Sequence, residues 1–208
     1  VAYTDEGVEL RKNGIYMPIM VMNPQIEEFD KLTEYALEPE IYSFDMLRAI
    51  DEYSTSQSKN IKIHLKLDTG MKRLGFEAQD IPLLTDLISQ MPQLWVVSIL
   101  SHLAASENPK HEKFTRKQIS LFQKMAKKIQ KELGYSPLLH IANSAAIQNY
   151  PSATFDMVRL GIGLYGVDPR GVVGVGLQPV TRWVSTISQV QMVKAGEGVG
   201  YGMHGVSE

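Results

Sequence analysis

One strand-like run ends in a loop that carries several chemically versatile side chains. It spans residues 61–76 and places Lys66, Asp68 and Arg73 close together in sequence. Polar side chains that follow a strand of a parallel α/β sheet lie on its ligand-binding face. Taken singly, Lys66 is equally well interpreted as a snorkelling lysine, and Asp68-Thr69-Gly70 as a turn. Taken together, these residues predict a ligand-binding strand end.

A second group of residues suits the binding of a phosphate. Ser144 supplies a hydroxyl after another strand-like run, and Gly161 and Ile162 follow a later one. Because Gly161 has no side chain, the backbone there can approach a phosphate closely, and the N–H groups of both residues can donate to it. The structural alternative is that Ser144 caps a short helix over residues 145–148.

Arg159, His102 and His140 are the remaining polar candidates at these strand ends. A guanidinium keeps its protons, so Arg159 can act only as a hydrogen-bond donor. Its structural alternative is a buried arginine paired with Asp156. Each histidine is interpreted either as part of the site or as a core histidine satisfied by backbone groups.

The elements that must position these residues alternate between short β-branched runs and longer amphipathic stretches. This alternation predicts βα units around a parallel sheet. The predicted helices are 6–12, 25–36, 44–53, 81–90 and 111–133, with a short one after Asn143. The predicted strands are 19–22, 41–43, 61–67, 94–100, 138–142 and 157–160. Asn23-Pro24 predicts a helix start, Ser43 a helix cap, and Gly14 and Gly134 helix ends.

The rhythm of the chain changes after Tyr165. Residues 180–193 alternate like one long strand with no helix behind it, which predicts a β-rich second domain. We therefore expect one α/β domain over residues 1–170 and the start of a β-domain over 171–208. Six βα units fit an incomplete (β/α)8 barrel, which takes about 250 residues when closed, and fit an open doubly wound sheet equally well.

Composition excludes several classes of protein. The chain is 44% hydrophobic and 21% charged, with a net charge of −2, as in an ordinary globular protein. Its lysines between Lys110 and Lys131 lie at helical spacing and indicate a solvated helix face rather than a nucleic-acid patch. It has no cysteine, hence no disulfide or thiolate metal site, and no apolar run long enough to cross a membrane. We expect a cytoplasmic protein with no resident metal and no nucleic-acid or membrane partner.

Taken as a block, these motifs resemble the alanine racemases, enzymes of fold type III that depend on pyridoxal 5'-phosphate. The resemblance covers nearly the whole chain. Its motifs are Lys66-Leu-Asp-Thr-Gly-Met-Lys-Arg73-Leu-Gly, Ser101–Ala104, His140–Ala146, Asp156–Gly166 and the stretch 179–201. Lys72 and Leu103 are mild departures. The resemblance implies a barrel that is incomplete here, from the end of its second strand to its eighth, followed by the first strands of a C-terminal β-domain.

The resemblance also implies roles for individual residues. Arg159 would face the pyridine nitrogen of the cofactor, with His102 supporting it. Arg73 would bind the phenolic oxygen of the cofactor and the substrate carboxylate. Lys66 lies at the position that can be carboxylated to hold that arginine. The remaining cofactor-binding residues would be Asn143, Ser144, Gly161 and Ile162.

The two bases of the family have no counterpart in these 208 residues. One is a lysine within a Lys-Ala-x-Ala-Tyr-Gly-type motif, and the other is a tyrosine in a Gly-Tyr-Ala-Asp-Gly-type motif; Tyr201 does not match the latter. Racemisation needs a base on one face of the substrate and an acid on the other. We therefore expect an internal fragment that is inactive alone, from a homodimeric enzyme that interconverts L- and D-alanine for the bacterial cell wall.

Other interpretations remain open at this point. The chain can belong to another fold-type III racemase or decarboxylase, or to the small carrier proteins of the same cofactor. It can also be a non-catalytic module that binds pyridoxal phosphate or a sugar phosphate through Ser144, Gly161 and Ile162. A scaffold with idle residues would show no affinity for the cofactor.

Overall fold

The structure is a computed structural model that describes residues 1–169, 171 and 176–206. By contacts the chain divides into two compact units, Val1–Gln178 and Pro179–Glu208. The domain boundary is predicted between residues 170 and 171. Residues 170 and 172–175 lie outside the described part of the chain. The position of the boundary stays a prediction.

The first unit is built on a five-stranded parallel sheet. Its strands are β1 (Met20–Val21), β2 (Glu38–Ile41), β3 (Ile61–Lys66), β4 (Leu94–Leu100) and β5 (Leu138–His140). They neighbour one another in the order in which they occur along the chain. A doubly wound sheet reverses its strand order at a switch point. The sequential order of the described strands therefore favours the barrel over the doubly wound alternative.

The described residues form six α-helices, one before β1 and the others between or after the strands. They are α1 (Thr4–Lys12), α2 (Phe29–Glu34), α3 (Phe44–Ser56), α4 (Ile81–Ser89), α5 (Glu112–Leu133) and α6 (Ser144–Asn149). The Ser43 hydroxyl accepts the Met46 N–H at 3.2 Å and caps α3, as predicted. Gly134 ends α5 in the left-handed conformation, with φ of 73°, a conformation that costs glycine nothing.

The core fills the space between the sheet and these helices. Apolar side chains recur along α5 at the spacing of one helix face and are buried there: Ile119, Phe122, Met125, Ala126 and Ile129. The strands contribute Ile41, Ile63, Leu65, Val96 and Ile99, all fully buried. This packing, more than local propensity, holds the strand ends in place.

Three predicted elements of the first unit differ in the structure. Residues 157–160 form no strand, although the Arg159 N–H donates to Ala142 O at 2.9 Å and so lies beside the end of β5. The helix predicted over 25–36 begins as a 3₁₀ turn at Ile26–Glu28 and becomes α2 only at Phe29. Asn23-Pro24 therefore does not start the helix. The strand predicted at 41–43 lies at Glu38–Ile41 instead.

The second unit contains a short antiparallel pair, β6 (Gly198–Val199) and β7 (Gly205–Val206). The long strand predicted over residues 180–193 is wrong, since none of these residues is in a strand or a bridge. A strand exists only when a neighbour accepts and donates its backbone hydrogen bonds. No described residue supplies that neighbour to 180–193.

Candidate functional site at the strand ends

The residues that follow the strands on their carboxyl side line a cavity of about 430 Å³ in the first unit. Six of the predicted site residues are among its walls: His102, Asn143, Ser144, Arg159, Gly161 and Ile162. The volume lies within the usual range for a small-molecule site. The structure thus brings together residues that are up to 60 positions apart in sequence, whereas Arg73 and Lys66 do not line this cavity.

Arg159 is held by four acceptors. Its Nη1 donates to His140 Nδ1 at 2.7 Å and to His140 O at 3.2 Å, and its Nη2 donates to Ser101 O and to His102 Nδ1 at 3.2 Å. These bonds use the four Nη hydrogens and leave the Nε–H without an acceptor among the described residues. The predicted alternative, a pair with Asp156, is wrong, because that carboxylate accepts the Leu139 N–H at 2.8 Å.

Burial and the charge of Arg159 together determine the protonation of both histidines. Burial lowers the pKa of Arg159 to about 10, with Glu40 opposing the shift, so the guanidinium stays charged at neutral pH. Burial, and then the positive charge of Arg159, lowers the pKa of His102 to about 4 and that of His140 to about 3. Both imidazoles are therefore neutral near pH 7.

Ser144 faces the loop that follows Arg159. Its hydroxyl oxygen accepts the N–H of Gly161 at 3.0 Å and the N–H of Gly163 at 3.1 Å. The helix cap is Asn143, whose side chain accepts the Ala146 N–H at 3.0 Å, so the assignment of that cap to Ser144 is wrong. The hydroxyl and the loop backbone meet at one end of the cavity, where an anionic group could take the place of their mutual contact.

Lys66 is buried and paired with a residue that sequence reasoning missed. Its Nζ lies 3.3 Å from Glu40 Oε1, and solvent reaches only 6% and 1% of the two side chains. The snorkelling alternative for Lys66 is therefore wrong. The second oxygen of Glu40 is buried without a hydrogen-bond partner among the described residues. Burial raises the pKa of Glu40 and lowers the pKa of Lys66, in each case because it penalises the charged form.

Arg73 is exposed in the loop after β3 and forms no hydrogen bond or ion pair with the described residues. It is close enough for its charge to lower the pKa values of Lys66 and His102. The Asp68 carboxylate accepts the N–H groups of Gly70 at 2.8 Å and Lys72 at 3.2 Å, which fixes the start of the loop. The structure therefore places Arg73 near the site without fixing its side chain.

A buried hydrogen-bonded chain continues from Arg159 into the sheet and was also missed. His140 Nε2 lies 2.8 Å from Ser98 Oγ, which lies 2.6 Å from His64 Nδ1. His64 Nε2 in turn lies 3.1 Å from Glu38 Oε2. Glu38 and Glu40 lie two residues apart, which puts both on one face of a strand. The spacing of these two glutamates was the feature of the sequence that could have predicted their role.

The family model for the alanine racemase N-terminal domain matches residues 1–169. The chain belongs to this family. An alanine racemase from Treponema denticola is 35% identical over 207 residues, covering 97% of this chain and 54% of that protein. The chain thus spans about half the length of the curated relatives that it matches.

Solved structures show the same likeness. The alanine racemase from D-cycloserine-producing Streptomyces lavendulae has a TM-score of 0.83 and 30% identity, covering all of this chain and 56% of that one. The alanine racemase from Bartonella henselae, solved with covalently bound pyridoxal phosphate, has a TM-score of 0.77 and 25% identity over 86% of this chain and 51% of that one. The predicted family and the incomplete (β/α)8 barrel are confirmed.

Two general features complete the description. No group of three or more histidine or acidic side chains in the described ranges is arranged to hold a metal ion. Of the helices that the structure describes, none has the length and apolar character needed to span a bilayer.

Proposed function

We propose that this chain provides the pyridoxal-phosphate pocket of an alanine racemase that interconverts L- and D-alanine. The observation that most supports this proposal is the cavity, whose walls include the Arg159 guanidinium, the Ser144 hydroxyl and the Gly161 loop. The guanidinium suits a pyridine nitrogen that must accept a hydrogen bond without gaining a proton. The hydroxyl and the loop suit a phosphate. Membership of the racemase family favours this over a decarboxylase or a carrier protein.

The residues present fit this cofactor. Arg159 has one N–H, on Nε, that no described residue uses, and its protons are not transferable at neutral pH. Arg159 would hold a pyridine nitrogen without protonating it, and the cofactor would then supply a moderate electron sink, which favours return of the proton over transamination. When bound, pyridoxal phosphate makes the substrate Cα proton more acidic. His102, neutral and bonded to Arg159, would keep the guanidinium oriented.

The other residue roles rest on the resemblance and remain part of the proposal. Asn143 fixes the start of α6 beneath Ser144, and Ile162 contributes its backbone to the phosphate loop. Arg73 binds the substrate carboxylate and the phenolic oxygen of the cofactor, because a planar fork of donors suits both. Lys66 is the candidate for carboxylation. No proton-transferring base of the family is assigned within this chain.

The whole enzyme is proposed to act as a cytoplasmic homodimer and to supply D-alanine for peptidoglycan. Since the chain matches neither the lysine nor the tyrosine motif, we further propose that these 208 residues alone are inactive. Each half-reaction needs a base on its own face of the substrate. The pocket described above would bind and orient but would not transfer the proton.

The test measures D-alanine formed from L-alanine, with added pyridoxal phosphate, by the 208-residue chain and by the whole open reading frame that encodes it. Turnover by the longer protein alone supports both parts of the proposal. Turnover by the short chain would contradict its predicted inactivity. If neither turns over and the chain still binds the cofactor, the non-catalytic binding module is correct instead.

Ser144→Ala, which removes the hydroxyl proposed to bind the phosphate, should weaken cofactor binding, whereas Ser89→Ala on the surface should not.

A further inference from the structure

The buried chain that ends at Arg159 crosses four of the five described strands of the sheet, from β2 to β5. Glu38 begins β2, His64 lies in β3, Ser98 in β4 and His140 in β5, and Arg159 follows at the carboxyl ends. Each of the four strand residues is at most 7% exposed. Each neighbouring pair along this chain is within 3.1 Å. The Glu38 carboxylate is thus joined to Arg159 through three side chains that can each be uncharged, those of His64, Ser98 and His140.

The strand register is adjusted at this point. Ile63 pairs with Val96, whereas His64 pairs with Ser98, so that Val97 is left out of the ladder. Such irregularities re-aim side chains and are frequent beside active sites. Here the shift places the Ser98 hydroxyl opposite His64.

Donor and acceptor rules give the chain one direction. Arg159 can only donate, so His140 Nδ1 must accept, and a neutral His140 then carries its proton on Nε2. That Nε2–H donates to Ser98 Oγ, and the Ser98 hydroxyl donates to His64 Nδ1. His64 is left with its proton on Nε2, which donates to the Glu38 carboxylate. Every hydrogen in the chain points away from the cation and towards the anion.

We propose that Glu38 is a positioning residue that holds Arg159 in its cofactor-binding geometry through His64, Ser98 and His140. This inference rests on the proposed function. An acceptor at position 38 keeps the proton of His64 on Nε2, which keeps Nδ1 free to accept from Ser98. Ser98 can then accept from His140, whose Nδ1 lone pair remains available to Arg159. Loss of the acceptor lets His64 carry its proton on Nδ1, and the order of donors then reverses towards Arg159.

The surroundings of Glu38 support a charged acceptor there. Lys62 Nζ lies 3.5 Å from Glu38 Oε1, and both residues line a groove of about 340 Å³ at the start of β2 and β3. Burial tends to raise the pKa of Glu38, but its interactions with His64 and Lys62 outweigh burial and lower the pKa overall. The carboxylate is therefore ionised at neutral pH.

The first experiment reads the tautomers directly by ¹⁵N NMR of the histidine rings in the 208-residue chain at neutral pH. We expect His64 and His140 to be neutral and protonated on Nε2. Glu38→Gln keeps an acceptor and should retain both tautomers, whereas Glu38→Ala should move the His64 proton to Nδ1 and give His140 mixed tautomers. A His64 protonated on Nδ1 in the unaltered chain, or tautomers unchanged in Glu38→Ala, would overturn the proposal.

The second experiment uses the whole enzyme. Glu38→Ala should lower kcat about 3- to 30-fold, the range for residues that act through a contact network, with little change in KM for alanine. Glu38→Gln should restore most of the loss, and Glu9→Ala, an exposed carboxylate on α1, should have no effect. Equal kcat values for Glu38→Ala and the unaltered enzyme would refute the positioning role. Absence of racemase activity in the unaltered enzyme would refute the proposed function instead, and the NMR result would still decide the direction of the chain.

Discussion

At the scale of single residues, the pair formed by Glu40 and Lys66 has the least contact with solvent among the ion pairs of the described residues. Burial shifts both pKa values towards the neutral forms. A neutral lysine amine is the form that reacts with carbon dioxide, so the site lowers one barrier to carboxylation of Lys66. The Glu40 carboxylate raises a different barrier to carboxylation, because the carboxylated lysine would place two anions side by side.

We therefore predict that Glu40→Gln increases the carboxylated fraction of Lys66. The neutral amide has nearly the same shape and removes a charge that lies 3.3 Å from the Lys66 nitrogen. Even with strong screening, such repulsion changes an equilibrium on the order of tenfold or more. The carbamate carbonyl can be observed by ¹³C NMR in ¹³C-bicarbonate buffer, with Lys66→Arg as the control that must lack the signal. Equal signals in Glu40→Gln and the unaltered protein would show that Glu40 does not oppose carboxylation.

The sequence predicted one member of this pair and not the other. Lys66 stands in a recognisable motif, whereas Glu40 becomes a partner only through the pairing of β2 with β3. The sequence pattern predicts that the strand starts at residue 41, after both glutamates, and so it does not indicate that they share a face. The expected pair of Arg159 with Asp156 failed for a related reason. The Asp156 carboxylate accepts the Leu139 N–H instead, and the partners of Arg159 come from the ends of β4 and β5, which only the fold brings together.

At the scale of elements, the loop between Lys66 and Phe76 positions Arg73 and depends on one glycine. The Phe76 N–H donates to Lys66 O, and the Asp68 N–H donates to Phe76 O, both at 2.9 Å. This closure requires Gly75 to adopt φ of 121°, and a Cβ there would lie 2.7 Å from the Asp68 nitrogen. Side chains rarely tolerate such a φ, and a backbone contact this short cannot relax by rotation.

We predict that Gly75→Ala opens this loop and lowers stability by more than Gly14→Ala does. Gly14 also has a positive φ, 81°, but nothing lies within 4 Å of a Cβ there, so its variant measures backbone strain alone, about 1 kcal/mol. Urea unfolding of both variants provides the comparison, and trypsin cleavage at Arg73 reports the loop. Equal losses of stability, with unchanged cleavage, would mean that the loop accommodates the methyl group.

Helices were predicted more accurately than strands, for a physical reason. An amphipathic helix with its caps is defined within one segment, and α5 at Glu112–Leu133 begins within one residue of its predicted start. A strand also needs a partner. Residues 180–193 alternate as a strand should, but alternation selects a face and does not supply a neighbour.

At the scale of the whole molecule, the strand order and the cavity are linked. Because the described strands follow one another in sequence, their carboxyl ends lie in a row, and the segments that follow β1, β4 and β5 supply walls of the cavity. The family could be predicted from those contributions one by one. The charge balance could not be predicted, since Glu38 and Glu40 meet His64 and Lys66 only through the pairing of β2 with β3.

The neutral histidines at this edge make global stability depend on pH. His102 and His140 have pKa values of about 4 and about 3 when folded, whereas unfolded histidine titrates near 6.5. Between these values the unfolded chain binds more protons, so stability falls as pH decreases, by at most about 1.4 kcal/mol per pH unit for each histidine. Glu40, with its raised pKa, works in the opposite direction above pH 4.5.

We predict that urea unfolding between pH 7 and pH 4 gives a free energy of unfolding that decreases steadily towards acid. His102→Gln removes one of the two groups and should make that decrease shallower, while His111→Gln, which alters an exposed histidine, should leave it unchanged. The comparison uses the slope of the free energy of unfolding against pH. A loss of stability that is independent of pH in either variant therefore does not affect it. If His102→Gln and the unaltered protein lose stability in parallel, His102 takes up its proton over the same pH range in the folded and the unfolded chain, which would contradict a pKa lowered by burial and by Arg159.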